Sequence, residues 1–147
     1  MEVEETLKLY MDVDGVLLGK NFRGEIALIP NIEEFLQYTK ENFYCYWLTT
    51  HCRDGKLDGI HKHLRPFFRE HDYSLLDHIK PLKWNTLKTE AIDLDSPFIW
   101  IDDGPLEYEI EILKKKGCLL NWLHVDTYRN YYDLQVDRLE KKRKEIL

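Results

Sequence analysis

The chain has 147 residues, 44% of them hydrophobic and 13% aromatic, which predicts a single globular domain over residues 1–147 and is not the composition of a disordered protein. There are 27 acidic and 21 basic side chains. The resulting net charge of −6 gives no overall attraction to nucleic acid or to an anionic membrane, although a local basic patch could still bind nucleic acid.

Three further features predict a cytoplasmic protein without a membrane partner. No apolar run reaches the roughly 20 residues that a transmembrane helix needs. The first ten residues, MEVEETLKLY, lack the basic start and apolar stretch of a signal peptide. The three cysteines, Cys45, Cys52 and Cys118, have no paired spacing, which is typical of reduced thiols rather than of a disulfide framework.

Three short apolar runs predict buried strands at Leu7–Val13, Phe43–Leu48 and Phe98–Ile101, and a weaker fourth candidate covers Cys118–Val125. Nearly continuous apolar runs of this length are typical of parallel strands that are covered on both faces. The connection from Gly15 to Pro30 is too short for a helix and a strand, so we expect a small flap hairpin there.

Helical patterns lie between and after these runs. Asn31 is a candidate N-cap for a helix over 32–42, in which Ile32, Phe35, Leu36 and Thr39 share one face. The other helical patterns cover 84–92, 105–117 and 133–147. Strands that alternate with helices predict an α/β fold with a mostly parallel sheet.

Chemically useful side chains follow three of the predicted strands. Asp12 and Asp14 follow the first, Thr49 the second, and Asp102 and Asp103 the third. Ligands bind beyond the carboxyl ends of the strands in open parallel sheets, so we expect these groups to meet at one edge. Carboxylates at close range repel one another unless a cation neutralises them, and oxygen-only ligands suit Mg²⁺. Asp12, Asp14, Asp102 and Asp103 are therefore the candidate metal-binding residues.

The same residues suit phosphoryl transfer. Asp12 could attack phosphorus, and Asp14 could act as general acid and then as general base. Thr49 would donate a hydrogen bond to a phosphoryl oxygen. Lys88, on the predicted helix before the third strand, would offset negative charge in the transition state. Gly15 would allow the sharp turn that brings backbone N–H groups near the phosphoryl group.

Four segments resemble, in order, the motifs of the haloacid dehalogenase superfamily. DVDGVL (residues 12–17) looks like the first motif, D-x-D-x-[TV] after an apolar strand, and YWLTT (46–50) is similar to the second. Lys88 matches the third motif, and FIWIDD (98–103) resembles the fourth, an apolar strand that ends in paired acids. The motifs cover residues 7 to about 103.

This resemblance implies a Rossmann-like three-layer sandwich and Mg²⁺-dependent hydrolysis of a phosphate monoester through an aspartyl-phosphate. It implies Asp12 as nucleophile, Asp14 as acid and base, and Mg²⁺ held by Asp12, the Asp14 carbonyl and Asp102. Phosphotransfer is the weaker alternative. The intervals between the motifs leave no room for a full cap domain, so a phosphorylated small molecule or macromolecule could reach an open site.

Several assignments stay open in the sequence. Thr49 and Thr50 compete for the second motif, and Lys80, Lys83 and Lys88 compete for the third. We favour Thr49, which follows the strand first, and Lys88, which leads into the last strand. After Asp103 the chain continues with Gly104-Pro105, so Glu107 either replaces a later acid or simply begins a helix.

A cluster of His51, Cys52, His61 and His63 suggests a soft-metal site. His61 and His63 are two residues apart, however, and therefore do not face the same way on a helix, so we do not expect zinc there.

Two other classes of function compete with a phosphatase. A receiver-like signalling module also combines aspartates, a threonine and a lysine around Mg²⁺, but its lysine follows the last acids, whereas Lys88 precedes Asp102. A catalytically silent domain that binds phosphate or metal on the same scaffold is the other alternative.

Overall fold

The computed structural model describes residues 7–147, so the sequence prediction for the N-terminus falls mostly outside the described residues. The strands are β1 (Leu7–Met11), β2 (Leu18–Lys20), β3 (Ile26–Leu28), β4 (Phe43–Trp47), β5 (Ile79–Pro81), β6 (Phe98–Asp102) and β7 (Trp122–His124). The α-helices are α1 (Ile32–Asn42), α2 (Asp58–Leu64), α3 (Glu107–Lys115) and α4 (Val136–Ile146). None of the helices in 7–147 is long and apolar enough to cross a membrane.

Five strands form one parallel sheet in the order β5-β4-β1-β6-β7, with β1 at its centre. The predicted α/β fold with a mostly parallel sheet is thus confirmed. Because the first, second and third apolar runs become β1, β4 and β6, the segments that follow β4 and β6 lie on either side of the segment that follows β1.

Side chains of β1 alternate between two buried clusters, one on each face of the sheet. Leu9 and Met11 belong to a larger cluster that includes buried residues of α1, α2 and α4. Tyr10 belongs to a smaller cluster with Trp100 of β6 and Leu113 of α3. Helices therefore cover both faces, which explains why the central strands are continuously apolar.

The predicted hairpin after the first strand is confirmed. β2 and β3 pair in antiparallel register, Leu18 with Leu28, and form a separate two-stranded sheet. At the turn, the Oδ1 atom of Asn21 accepts hydrogen bonds from the backbone N–H groups of Arg23 and Glu25. Gly24 has a φ of 75°, which the turn requires and which glycine adopts at little cost.

Helix α1 has the predicted bounds and buried face, and Asn31 occupies the predicted N-cap position, but the expectation of a side-chain cap there is wrong. Phe35, Leu36 and Thr39 are buried. Asn31 adopts a left-handed conformation with φ 60° and ψ 33°, and its side chain makes no capping hydrogen bond. Asparagine tolerates this conformation better than most residues, so Asn31 can turn the backbone at the start of α1.

The predicted helix over 84–92 is also wrong, because only Lys88–Ala91 form a short 3-10 helix. The indole Nε1 of Trp84 donates to the carbonyl of Thr49 at 3.1 Å, which holds the start of the segment against β4. Leu87 is extended, and the Glu90 carboxylate accepts its N–H. Because these hydrogen bonds hold the chain in a non-helical conformation up to Leu87, the helical turn begins only at Lys88.

Three secondary-structure elements are shorter than predicted. The fourth apolar run contributes only Trp122–His124 as a strand, preceded by a 3-10 helix at Leu119–Asn121. Helix α3 begins at Glu107 rather than at Pro105, since Leu106 is extended and its N–H donates to Glu109. The tail helix, predicted over 133–147, is Val136–Ile146.

The segment between β4 and β5 packs onto the main core. It contains α2 and 3-10 helices at Thr50–Cys52, Arg65–Phe67 and Glu70–Leu76. Ile60, Leu64 and Leu76 from this segment are buried in the same cluster as Leu9 and Met11. The segment is therefore built as an extension of the core, and α2 packs against the 3-10 helix that follows β4.

Candidate active site

Three carboxylates converge beyond the adjacent ends of β1 and β6. Asp12 follows β1 directly, and its N–H donates to the carbonyl of Ile101 at 3.1 Å. Asp102 is the last residue of β6, and Asp103 follows it. Ligand oxygens of Asp12, Asp102 and Asp103 lie within 4.8 Å of one another. The structure therefore brings together three of the four acids that the sequence predicts as metal-binding residues.

Lys88 lies between two of these carboxylates. Its Nζ atom is 2.7 Å from Oδ2 of Asp102 and 3.1 Å from Oδ2 of Asp12. The three side chains are only 15%, 2% and 13% exposed, in the order Lys88, Asp102, Asp12. Such low exposure means that water screens their charges weakly.

Burial and charge act in opposite directions on these groups. Burial raises the pKa of the Asp12 carboxyl, and the nearby Lys88 ammonium offsets only part of that effect. Burial lowers the pKa of Lys88, but the charges of Asp12 and Asp102 outweigh it and raise the pKa above its usual value. Lys88 is therefore held in its charged form, which is the form that can stabilise a phosphoryl group.

Backbone N–H groups fix the orientation of the two buried carboxylates. The N–H of Val13 donates to Oδ1 of Asp12 at 2.8 Å, and the N–H of Gly104 donates to Oδ1 of Asp102 at 2.9 Å. Each carboxylate thus has one oxygen bound to the backbone and the other bound to Lys88. Side chains held in this way are pre-organised for binding a ligand.

Gly15 permits the close approach of the loop after β1 to Asp103. A Cβ atom at position 15 would lie 2.5 Å from Oδ2 of Asp103, and Gly15 has a φ of 76°. Burial, together with the charges of Asp102 and Asp12, raises the pKa of Asp103 to about 6. The sequence predicts a sharp turn at Gly15. The close approach of Asp103 is a second reason why a residue without a side chain is needed there.

The Asp14 carboxylate is not part of this acidic cluster. Its Oδ2 atom is 2.7 Å from Nε2 of His51, and its Oδ1 atom is 2.8 Å from Nε2 of His63. Burial raises the pKa of Asp14, but the hydrogen bonds from the two histidines outweigh burial and lower the pKa. The structure thus places the Asp14 carboxylate with the two histidines, and a ligand role for the Asp14 backbone carbonyl stays a prediction.

Sequence reasoning missed the contacts of His51 and His63 with Asp14. The position of His51 directly after the second motif does suggest that it could line the site, but nothing in the sequence pairs it with Asp14. His63 gives no comparable signal, because its position depends on how α2 packs.

The competing threonines and lysines occupy different environments. Thr49 is completely buried at the end of β4, and its Oγ1 atom accepts the N–H of His51 at 3.3 Å, whereas Thr50 is exposed. Lys80 and Lys83 are exposed. Of the three lysines, Lys88 alone forms ion pairs with Asp12 and Asp102 within the part of the chain that the structure describes.

The acidic cluster fits a hard divalent cation. Its ligands are carboxylate oxygens, and three carboxylates face one ammonium, which leaves excess negative charge when all are ionised. Mg²⁺ prefers oxygen ligands and is usually bound by a few carboxylates together with waters and phosphate.

Glu107 is the exposed first residue of α3, so it begins a helix there.

Comparison with known proteins gives no family assignment. No protein-family model matches this chain, and no curated protein matches it. The resemblance to haloacid dehalogenases stays a prediction from the four motifs.

Proposed function

We propose that the protein is a Mg²⁺-dependent phosphatase of the haloacid dehalogenase type, which hydrolyses a phosphate monoester through an aspartyl-phosphate. The observation that carries the proposal is the meeting of Asp12, Asp102 and Asp103 at one end of the central strands, with Lys88 bound to two of them. A nucleophilic carboxylate, a cation and a metal-binding set at one edge of the sheet are the parts that this chemistry needs.

Asp12, Asp102 and Asp103 would hold the Mg²⁺ ion, with the Asp14 carbonyl that the family resemblance implies. When bound, the ion would neutralise negative charge on the carboxylates and on the phosphoryl oxygens. Lys88 adds a fixed positive charge beside Asp12 and Asp102.

In the first step, a carboxylate oxygen of Asp12 attacks phosphorus, and the bond from phosphorus to the ester oxygen breaks. Val13 N–H and Lys88 each occupy one Asp12 oxygen, which aligns the carboxylate and leaves each oxygen a further lone pair. Asp14, which exchanges protons with His51 and His63 through its two hydrogen bonds, passes a proton to the leaving oxygen, so the first product departs as an alcohol.

In the second step, water attacks the phosphorus of the aspartyl-phosphate and gives a proton to Asp14. The bond from phosphorus to the Asp12 oxygen breaks, which releases inorganic phosphate and restores both carboxyl groups. His51 and His63 lie one hydrogen bond from Asp14, so a proton on either ring can move to that carboxylate.

The packing of the segment between β4 and β5 supports an open site. Its buried residues join the main core, so this segment adds no independent cap. We therefore propose that the substrate is a phosphorylated small molecule or an exposed phosphate on a macromolecule.

A phosphatase panel with and without Mg²⁺ tests the proposal on the wild type, on Asp12→Asn and on Asp95→Asn. The Asp95 side chain is 87% exposed and controls for loss of a surface charge. We expect Mg²⁺-dependent release of phosphate by the wild type and by Asp95→Asn, and background activity for Asp12→Asn.

Full activity of the Asp12→Asn protein would contradict the proposal. A phosphoprotein that forms but does not turn over would favour the receiver-like alternative. A wild type that neither hydrolyses the panel nor binds Mg²⁺ in calorimetry would favour a catalytically silent domain.

A further inference from the structure

A second group of possible metal ligands lies beside the acidic cluster. Asp14, His51 and His63 each offer one ligand atom, and these atoms lie within 4.8 Å of one another. This set combines two imidazole nitrogens with a carboxylate, whereas the acidic cluster offers oxygen alone. The difference in donor chemistry predicts a difference in the preferred ion.

The three side chains come from separate segments that the fold brings together. Asp14 belongs to the loop after β1, and His51 to the 3-10 helix after β4, which Thr49 caps. His63 lies on α2, and its ring stacks on that of His51 with centroids 3.8 Å apart and planes at 13°. Each ring directs its Nε2 atom to a different oxygen of Asp14.

Gly59 allows α2 to approach His51 closely. A Cβ atom at position 59 would lie 2.0 Å from the backbone oxygen of His51, which no real structure could accept without a shift of the backbone. His63 is one helical turn further along the same helix. The missing side chain at Gly59 therefore helps to determine how far His63 stands from His51.

The soft-metal cluster suggested by the sequence is not the set that the structure assembles. His61 lies against the ring of Tyr73, with centroids 5.1 Å apart. Cys52 is buried in the core. Asp14, which is distant in sequence and was assigned to another role, joins His51 and His63 instead.

We propose that Asp14, His51 and His63 form a second metal site, which binds a borderline first-row ion such as Zn²⁺ rather than Mg²⁺. Two histidines and one carboxylate, with a water in the fourth position, are a common zinc ligand set. Ligand atoms in a tetrahedral zinc site are about 3.3 Å apart, given bonds of about 2.0–2.1 Å. The nitrogen–oxygen distances of 2.7 and 2.8 Å would open slightly on metal binding, and the two stacked rings would turn so that both Nε2 lone pairs meet at one ion.

The exposure of the three side chains favours entry of an ion. Asp14, His51 and His63 are 41%, 25% and 31% exposed, so an ion can reach them and a water can occupy the open position. The competing explanation is a cluster held by hydrogen bonds alone, in which each Nε2–H donates to Asp14. Both explanations account for the distances, but only a metal site binds Zn²⁺ through these residues.

The experiment is a Zn²⁺ titration of metal-free protein against a chromogenic chelator, with millimolar Mg²⁺ present to occupy the oxygen-only site. We expect one equivalent of Zn²⁺ to bind, and an affinity at least about 10-fold weaker in His51→Gln and in His63→Gln. His61→Gln on the same helix and His71→Gln, whose side chain is 76% exposed, are the matched controls and should bind as the wild type does.

A wild-type measurement keeps the test independent of how well the variants fold. Long-range ¹H–¹⁵N NMR should show the Nε2 signals of His51 and His63 moving on addition of Zn²⁺, while those of His61 and His71 stay in place. Absence of Zn²⁺ binding, displacement of Zn²⁺ by Mg²⁺, or equal affinity in the His51 and His63 variants would overturn the proposal.

One consequence rests on the proposed function. Because Zn²⁺ would engage the Asp14 carboxylate, it should inhibit Mg²⁺-dependent phosphate release, and His61→Gln should remain as sensitive as the wild type. The two proposals fail separately. Zn²⁺ binding by a protein without phosphatase activity contradicts the proposed function alone, whereas an active phosphatase that ignores Zn²⁺ contradicts the second site alone.

Discussion

The Lys88 ammonium is shared by Asp102 and Asp12, whose Oδ2 atoms lie 2.7 and 3.1 Å from Nζ. Replacement of Lys88 by methionine would keep much of the side-chain volume but leave two nearly buried carboxylates without their cation. Loss of one member of a buried ion pair costs about 3 kcal/mol. We expect the free energy of unfolding without Mg²⁺ to fall by about that amount, as urea denaturation can measure.

Lys83→Met is the matched control, because Lys83 is close in sequence but exposed. Addition of Mg²⁺ should recover part of the stability that Lys88→Met loses, since a divalent ion replaces the missing positive charge. A Lys88→Met protein as stable as the wild type without Mg²⁺ would contradict this account of the site.

Gly15→Ala should damage the site through two effects that can be separated. Gly15 and Gly24 have φ values of 76° and 75°, but a Cβ atom at Gly24 meets nothing within 4 Å. Gly24→Ala therefore measures the conformational cost alone, about 1–2 kcal/mol. At Gly15 the clash with Asp103 adds to it, so Gly15→Ala should lose more stability and weaken Mg²⁺ binding in calorimetry. Equal loss for both variants would argue against the contact with Asp103.

Thr49→Val and Thr50→Val decide between the two threonines of the second motif. The Thr49 hydroxyl accepts the N–H of His51, which leaves its own proton free to donate to a phosphoryl oxygen. We expect Thr49→Val to lower kcat by roughly 100-fold, the usual effect of losing one such donor. Thr50→Val should stay near the wild-type rate in the same steady-state assay. The reverse pattern would assign the role to Thr50.

Stability should depend on pH through His78. Burial and the charge of Lys40 lower the pKa of His78 below 6.5, and its Nε2 atom lies 2.9 Å from the Thr39 hydroxyl. The unfolded chain thus binds a proton at a higher pH than the folded chain. The stability that the fold gains from keeping His78 neutral is fully present above about pH 6.5. It is lost as the pH falls below that value towards the pKa of His78 in the folded protein.

Urea denaturation between pH 5 and pH 7.5 checks this expectation. His78→Gln should flatten the decline towards pH 5, whereas His71→Gln should follow the wild type, because the His71 side chain is 76% exposed. A His78→Gln curve with the wild-type slope would assign the acid sensitivity to other groups.

Much of the sheet could be predicted from the sequence, because β1 and β6 are buried on both faces and β4 is buried mainly on one, and all three are nearly continuous apolar runs. The meeting of Asp12 with Asp102 follows from that arrangement alone. The segment 84–92 could not be predicted, since the Trp84 contact with Thr49 overrides its helical spacing. The contact of His63 with Asp14 depends on how α2 packs against the rest of the fold. The residue pattern within one segment does not predict that packing.

Gly59 controls the spacing between α2 and the 3-10 helix that carries His51. Since any larger residue would push α2 away from the backbone of His51, a change there would alter the histidine pair without touching either ring. Variation at this position would thus tune or abolish the histidine pair while leaving the carboxylates around Lys88 intact, so the two clusters can diverge independently.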